Sequence, residues 1–252
     1  MKKHFTALAL CLLFLPMASA GENYRYEMLE DILYHPEQIQ IKVKSALQKY
    51  FKNPEELTVE FFPTKKSDLA KGYFSRIDVK LKKTKIKVLE IEEGNFSLIG
   101  IRLDLAKLYA QNLIRIRSIE DNELYFLITE EALNNAIQEK KLPIGNPNLT
   151  IRPGLLEFHA NFRTLFIKSK VDTKGRLEVH NLTEIYFHPD RLKLNSIPIP
   201  GFLKRTISHK INPIIDLKDF SFIKSLSEIR LQNKQIEIIA EKSHSLPTEP
   251  EQ

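Results

Sequence analysis

The 252-residue chain contains one cysteine, Cys11, inside an apolar run near its N-terminus. Past that point no thiol can form a disulfide or bind a metal, so the core alone must hold the fold. A chain of about 230 residues can bury enough surface to do so. Glycine is also scarce, with eight in all. That is too few for a tightly turned solenoid, and no short-period repeat is present. The sequence has no G-x-S-x-G elbow, no G-x-x-x-x-G-K-[ST] phosphate loop and no H-E-x-x-H helix. His159, His180, His188 and His209 are the candidates for metal or acid–base work. His159 and His180 occupy outward positions of expected strands, His188-Pro189-Asp190 reads as a turn, and no close His/Asp/Glu cluster marks a metal site. Glu90, Glu92 and Glu93, before Gly94, read as a turn carrying solvated charge. The expectation is a protein without catalytic centre, metal or cofactor.

The N-terminus carries a targeting pattern. Met1-Lys2-Lys3 precedes an apolar run from Phe5 to Pro16, and Ala18-Ser19-Ala20 precedes Gly21. A charged start, a short apolar stretch and a small-x-small site describe a cleaved secretory signal. The run is shorter than the roughly 20 apolar residues that span a bilayer. Leu10 is bulky where a lipoprotein signal wants a small residue before its cysteine. The expected organisation is a signal peptide at 1–20, one domain at 21–240 and a polar, proline-bearing disordered tail at 241–252, exported to the periplasm or cell envelope. The formal charge is +6, with Lys2 and Lys3 inside the signal. Export argues against nucleic acid as partner. The remaining charge suits either an anionic lipid surface or simple solubility.

Periodicity sets the class. Ile39, Val43, Ala46, Leu47 and Tyr50 recur at helical spacing after His35-Pro36-Glu37, whereas residues 21–35 show no clear period. Leu57, Val59 and Phe61 alternate as a strand. From Tyr73 to Ile128 the pattern is strand after strand, with Asp121-Asn122 as a turn. Thr129 reads as the N-cap of a second helix. Strands follow again from Leu155, with a turn at Asp172–Gly175, then a basic amphipathic helix over 202–212. A closing hairpin turns at Asn233-Lys234. Strands in runs joined by hairpin turns make the class α+β with a mainly antiparallel sheet. The apolar faces either pack on one another as a closed core or leave an elongated cavity; pattern alone does not separate these.

Three ordered strings add to this reading. "GYFSRIDVKLKKTKI" with "LEIEEGNFSLI" resembles the G-[FY]-x-x-[IV]-x-[IV] opening of the LmeA-like phospholipid-binding proteins. "LYFLITEEALNNAIQ" is similar to their ITE-x-x-LN step from strand to helix. "INPIIDLKDFSFIKSLSEIRLQNKQIEIIA" is similar to their N-P-[LI]-[LI]-D closing segment and last hairpin. The resemblance implies a curved antiparallel sheet wrapped around helices, like the tubular lipid-binding domains, and an extracytoplasmic phospholipid-binding role without catalysis. The apolar stripes then become expected walls for an acyl chain: Ile77, Val79 and Leu81; Ile99, Ile101, Leu103 and Leu105; Leu156, Phe158 and Phe162, with Ala160 between them. Lys80, Lys82, Lys204, Arg205 and Lys210 become expected contacts with an anionic membrane surface, and an anionic phospholipid the expected ligand. The lysine-rich stretch at 80–87 departs from the family pattern, so no headgroup preference carries over.

Overall fold

The computed structural model describes residues 20–62, 65–69, 71–139, 145–163, 168–195, 197, 198, 205, 208, 209, 211–218, 220 and 222–241. Two antiparallel sheets dominate. Strands β1 (Glu56–Phe61), β2 (Tyr73–Ile86), β3 (Leu89–Leu103), β4 (Ile116–Ser118) and β5 (Asp121–Thr129) join the closing pair β12 (Glu228–Gln232) and β13 (Gln235–Ala240) in the first sheet. Its order is β1-β2-β3-β5-β13-β12, with β4 paired to β3. The second sheet contains β6 (Gly145–Arg152), β7 (Leu155–Arg163), β8 (Lys168–His180), β9 (Glu184–Leu194), β10 (Ile197–Pro198) and β11 (Ile215–Asp216). Its order is β10-β9-β8-β7-β6, with β11 paired to β9. The α+β class and the curved, antiparallel character are as the sequence implies.

Helices α1 (Ala20–Tyr34), α2 (Pro36–Gln48), α3 (Lys66–Leu69), α4 (Leu105–Gln111) and α5 (Glu130–Glu139) complete the described elements. Helix α2 starts with Pro36 in its first turn and buries Ile39, Val43, Ala46 and Leu47, the stripe its spacing demands. Helix α5 is capped as expected: Thr129 Oγ1 accepts the Ala132 N–H at 3.1 Å. Helix α1 corrects the reading of residues 21–35 as aperiodic. Tyr24, Met28 and Ile32 do lie one helical turn apart and pack toward the core, but the charged Asp31 beside them is buried too and masks the stripe. Asp31 is accommodated because the Tyr109 hydroxyl on α4 donates to its Oδ2 at 2.8 Å. Burial first, and then this carboxylate, hold the Tyr109 phenol well above its usual range.

Four further expectations are corrected. Asp121 and Asn122 open β5 instead of forming a turn. Asp172–Gly175 runs inside β8, where a register shift against β9 at Lys174/Gly175 replaces the turn. His188-Pro189-Asp190 lies inside β9. Strands resume at Gly145 with β6, ahead of the expected start at Leu155. The tail from 242 onward and most of 202–212 lie outside the described residues; within that helix Arg205, Ser208, His209 and Ile211 are helical, with Arg205 and His209 exposed and Ile211 buried.

Strands β2 and β3 change the face they bury without losing register. Phe74 pairs with Ile101, Ile77 with Leu98, Leu81 with Gly94 and Thr84 with Ile91, and all these residues are buried. The inward set therefore slips by one residue at two places, opposite one another on the two strands. Gly100 (φ +56°) and Lys83 (φ +42°) sit at the slips in the left-handed region, which turns the pleat over locally. Gly72 (φ +70°) opens β2, and its carbonyl accepts the Leu103 N–H at 2.7 Å. A Cβ on Gly72 would meet the Leu103 carbonyl oxygen, so only glycine fits there.

The sheets meet at a compact joint. The Gly154 N–H donates to the Leu231 carbonyl at 3.0 Å, the Lys234 N–H to Ile151 at 3.2 Å and the Glu130 N–H to Lys234 at 2.9 Å. Glu130 Oε2 accepts the Ile151 N–H at 2.6 Å. Asn134 of α5 clasps β6, donating to the Leu149 carbonyl at 2.9 Å and accepting its N–H at 2.7 Å. One continuous apolar core spans both sheets and the helices. Each large side chain buried there contributes roughly 1.5–3 kcal/mol relative to exposure.

Candidate functional site

A strap from Ile211 to Leu226 crosses from one sheet to the other. The Asn212 side chain fixes its start by pairing both backbone groups of Phe187 in β9, at 2.8 and 2.9 Å. The Ile214 N–H donates to Ile185 at 2.9 Å, the Leu217 N–H to Thr183 at 3.2 Å and the Leu226 N–H to Leu182 at 2.8 Å. At the other sheet the Lys224 N–H donates to Asn122 Oδ1 at 3.1 Å. Leu217, Phe220, Phe222, Ile223 and Leu226 are buried along the way, and Phe222 stacks on Phe96 with ring centroids 4.9 Å apart.

The first stretch of this strap forms one wall of a cleft of about 370 Å³. The turn between β2 and β3 supplies the facing wall through Ile86, Val88 and Leu89, and α5 contributes Ala136. Ile211, Ile214, Ile215 and Leu217 line the strap side. Its size lies within the roughly 300–1,000 Å³ usual for ligand sites. The polar side chains on it are Lys87, Asn212 and Asp216. Asp216 pairs with Lys218 at 2.9 Å. Burial raises the Asp216 carboxyl, but its hydrogen bonds and charge contact with Lys218, and the charge of Lys87, outweigh it and hold the group below its ordinary value. The cleft thus has apolar walls and a charged rim, the division needed by a ligand with a tail and a polar head.

A second concavity of about 460 Å³ lies on the outward side of the first sheet. The charged side chains of Arg76, Asp78, Lys80, Glu123 and Glu241 line it, together with Val79, Phe96, Leu124 and Ala240; of the expected wall residues, Val79 lies here. Arg76 binds Asp78 at 2.6 Å and Ser97 at 3.1 Å. An alkyl chain laid there would strip water from charges without replacing it, which is costly. The smaller cleft is the better candidate for an apolar ligand.

Most of the expected wall residues pack inside the sheets. Ile77, Val79, Leu81, Ile101, Leu103, Leu105, Leu156 and Phe158 are buried in the core, and none is among the residues lining the 370 Å³ cleft. Ile99 is only partly buried, because the slip at Gly100 puts it out of step with Ile101 and Leu103. Phe162 is in β7, with its side chain outside the described set. Lys80 and Lys82 are exposed as expected. Acidic side chains accompany this lysine-rich strand: Lys82 lies 3.7 Å from Glu56 and Lys83 3.1 Å from Glu55. Lys204 and Lys210 lie outside the described residues. The cleft-lining residues Ile86, Leu89, Ile214 and Leu217 were missed as a site. They do stand out as apolar residues inside the resembling strings, but nothing local brings the two strings together.

The motif residues have visible tasks. Gly72 allows β2 to meet β3, Thr129 and Glu130 join α5 to its neighbours, Asn134 holds β6 and Asn212 holds β9. A match to the model of the LmeA-like phospholipid-binding family covers residues 39–241. The chain belongs to that family. The match takes in both sheets, the strap and the cleft, so the cleft lies wholly within the shared part of the family. No curated protein and no solved structure gives a significant match.

Among the described residues no helix is long and apolar enough to cross a membrane. Across β8 and β9, Glu178, His180 and His188 come together with their ligand atoms within 4.8 Å of one another. That cluster was not visible in the sequence, where His188 read as part of a turn. His159 instead pairs with Asp172 at 2.7 Å.

Proposed function

We propose that this LmeA-like protein is exported and carries a phospholipid, with an acyl chain in the cleft between the β2–β3 turn and the Ile211–Leu217 strap. The observation that carries the reading is the apolar cleft with a charged rim in a chain of a phospholipid-binding family. Lys87 lines the rim and would meet an anionic headgroup, which keeps its charge in water while the tail is buried; Lys218 offsets the charge of Asp216 beside it. Such an arrangement binds without covalent chemistry and suits reversible collection from an anionic membrane surface in the periplasm or cell envelope. Signal cleavage after Ala20 would release the protein there, and intact-mass measurement of the envelope fraction should find Gly21 first.

The direct test is organic extraction of folded protein purified from its own host, followed by lipid mass spectrometry. Near-stoichiometric phospholipid is expected. Ala136→Phe, which fills the cleft from α5, should abolish uptake of a fluorescent acyl lipid while the circular dichroism spectrum is retained. The packed stripes of both sheets favour a second reading, an envelope scaffold with a filled core. Folded wild-type protein that neither releases nor takes up lipid would select that reading.

A further inference from the structure

The β8–β9 hairpin brings together a chemistry that the lipid reading leaves unused. Glu178 and His180 are alternate residues of β8, and His188 comes from β9. Val179 pairs with Ile185 and Leu177 with Phe187, which places all three polar side chains on the side of the sheet away from the core. His180 Nε2 and His188 Nε2 are 3.0 Å apart, and His188 Nε2 is 3.4 Å from Glu178 Oε2. His180 stacks on Tyr186 with ring centroids 4.5 Å apart and meets His188 end to end, with centroids 5.1 Å apart and the two Nε2 atoms facing each other. Glu178 is steadied by Arg176, whose Nε lies 3.1 Å from the other carboxylate oxygen, Oε1.

We infer that Glu178, His180 and His188 form a binding site for a divalent late first-row transition metal ion of the zinc type. Zinc takes imidazole nitrogen at about 2.0–2.1 Å and carboxylate oxygen at about 2.0–2.2 Å, and in a tetrahedron such arms put neighbouring ligand atoms roughly 3.3 Å apart. The His180–His188 and His188–Glu178 separations fall on either side of that distance, and the three ligand atoms all lie within 4.8 Å of one another; the ion enters once the two rings turn to aim their Nε2 atoms at it. Two imidazoles and one carboxylate select zinc, copper or nickel over magnesium or calcium, which prefer all-oxygen sets. Three protein ligands leave the fourth position to water. Each imidazole binds through Nε2 as the tautomer that carries its proton on Nδ1, so the Nε2···Nε2 hydrogen bond is given up when the ion enters. It also competes with Arg176, whose positive charge opposes a second cation at the same carboxylate. Bound there, the ion clasps β8 to β9 close to the Asn181–Thr183 turn.

The probes are Zn2+ and Co2+ with the tag-free full chain. Isothermal titration should show one zinc per chain, and Co2+ should give the visible bands of a four-coordinate ion. His180→Gln and His188→Gln should each weaken zinc binding by at least the roughly 10- to 100-fold that loss of an outer-shell partner costs. Arg176→Gln should tighten it severalfold, because the cation opposing the metal is gone. His159→Gln should leave it unchanged. If a glutamine variant fails to fold, Cu2+ electron paramagnetic resonance on the wild-type chain decides the matter: hyperfine coupling to two imidazole nitrogens is expected. Absence of stoichiometric zinc, zinc binding indifferent to both histidine substitutions, or a copper signal with no nitrogen coupling each overturns the site. The clasp and the lipid cleft share no residue, so failure of one leaves the other standing.

Discussion

Asn212 holds both backbone groups of Phe187: its Nδ2 donates to the Phe187 carbonyl at 2.9 Å while its Oδ1 accepts the Phe187 N–H at 2.8 Å. The amide behaves as one more residue of sheet at the point where the strap leaves the helical turn at Ile211. Asn212→Ala removes both partners at once from a site that is partly buried. Leaving a buried backbone group unpaired costs about 1–3 kcal/mol. The urea midpoint should fall accordingly, and hydrogen exchange at Phe187 should accelerate more than at Leu149, which Asn134 still holds. Equal exchange at both positions would show that the strap needs no such joint.

Gly72→Ala should destabilise strongly. The positive φ costs about 1–3 kcal/mol for a residue with a side chain, and the added methyl also collides with the Leu103 carbonyl. Gly154→Ala shares the positive φ (+70°) but has nothing within 4 Å of the new Cβ. Thermal melts of the two variants separate collision from strain, and Gly72→Ala should melt clearly lower. Equal melts would assign the whole effect to backbone conformation.

Asp104 caps α4 by accepting the Lys107 N–H at 3.1 Å and pairs with Arg117 at 3.1 Å. Burial raises its carboxyl, but the Lys107 N–H and the Arg117 contact outweigh burial, so the folded value lies below the ordinary one. A carboxyl depressed on folding stabilises the protein above its unfolded pKa of about 3.9 and loses that contribution as pH falls through the folded value. Asp104→Asn keeps an oxygen for the cap and removes only the charge. The stability gap between wild type and Asp104→Asn should be flat above about pH 5 and shrink below about pH 4. A gap that widens in acid would reverse the assigned direction.

Lys80 and Lys82 test whether the outward side of β2 meets a membrane. Exposed ion pairs such as Lys82 with Glu56 contribute about 0–1 kcal/mol to stability, so Lys80→Glu with Lys82→Glu should hardly move the melt. Near an anionic leaflet each lysine is worth about 1 kcal/mol. Sedimentation with phosphatidylglycerol vesicles should therefore fall by tenfold or more, roughly the product of two such losses. Unchanged sedimentation would remove this strand from the docking surface.

Local signals in the sequence divide: the turn residues Asp121-Asn122, Asp172–Gly175 and His188-Pro189-Asp190 lie inside strands, where pairing across the sheet overrides turn propensity, while others hold. Proline at the start of α2, Thr129 before α5 and Asn233-Lys234 between the last strands all do what their residue types suggest. Helix α1 was lost because Asp31, a buried acid, interrupts its stripe, and its partner Tyr109 lies in a different helix. Ile99 leaves its expected stripe for a different reason. Simple alternation along β3 puts Ile99 with Ile101, but a left-handed glycine between them reverses the side that follows. The cleft itself joins residues 86–89 to 211–217, and no period within either string reveals that meeting. The histidine cluster depends on strand register: it needs Val179 opposite Ile185, which places His188 across from Arg176 and next to Glu178.

The first sheet is not complete until the chain's closing strand is in place. Strand β13 pairs along β5 from Leu124 to Thr129, yet in chain order it follows every strand of the second sheet. Until it arrives, β5 presents a bare edge whose inward residues include Leu124, Phe126 and Ile128, the kind of edge that recruits other chains. Pairing between residues so far apart in the chain slows assembly. A polypeptide cut short before Glu228 lacks both closing strands and exposes the apolar edge of β5 to other chains.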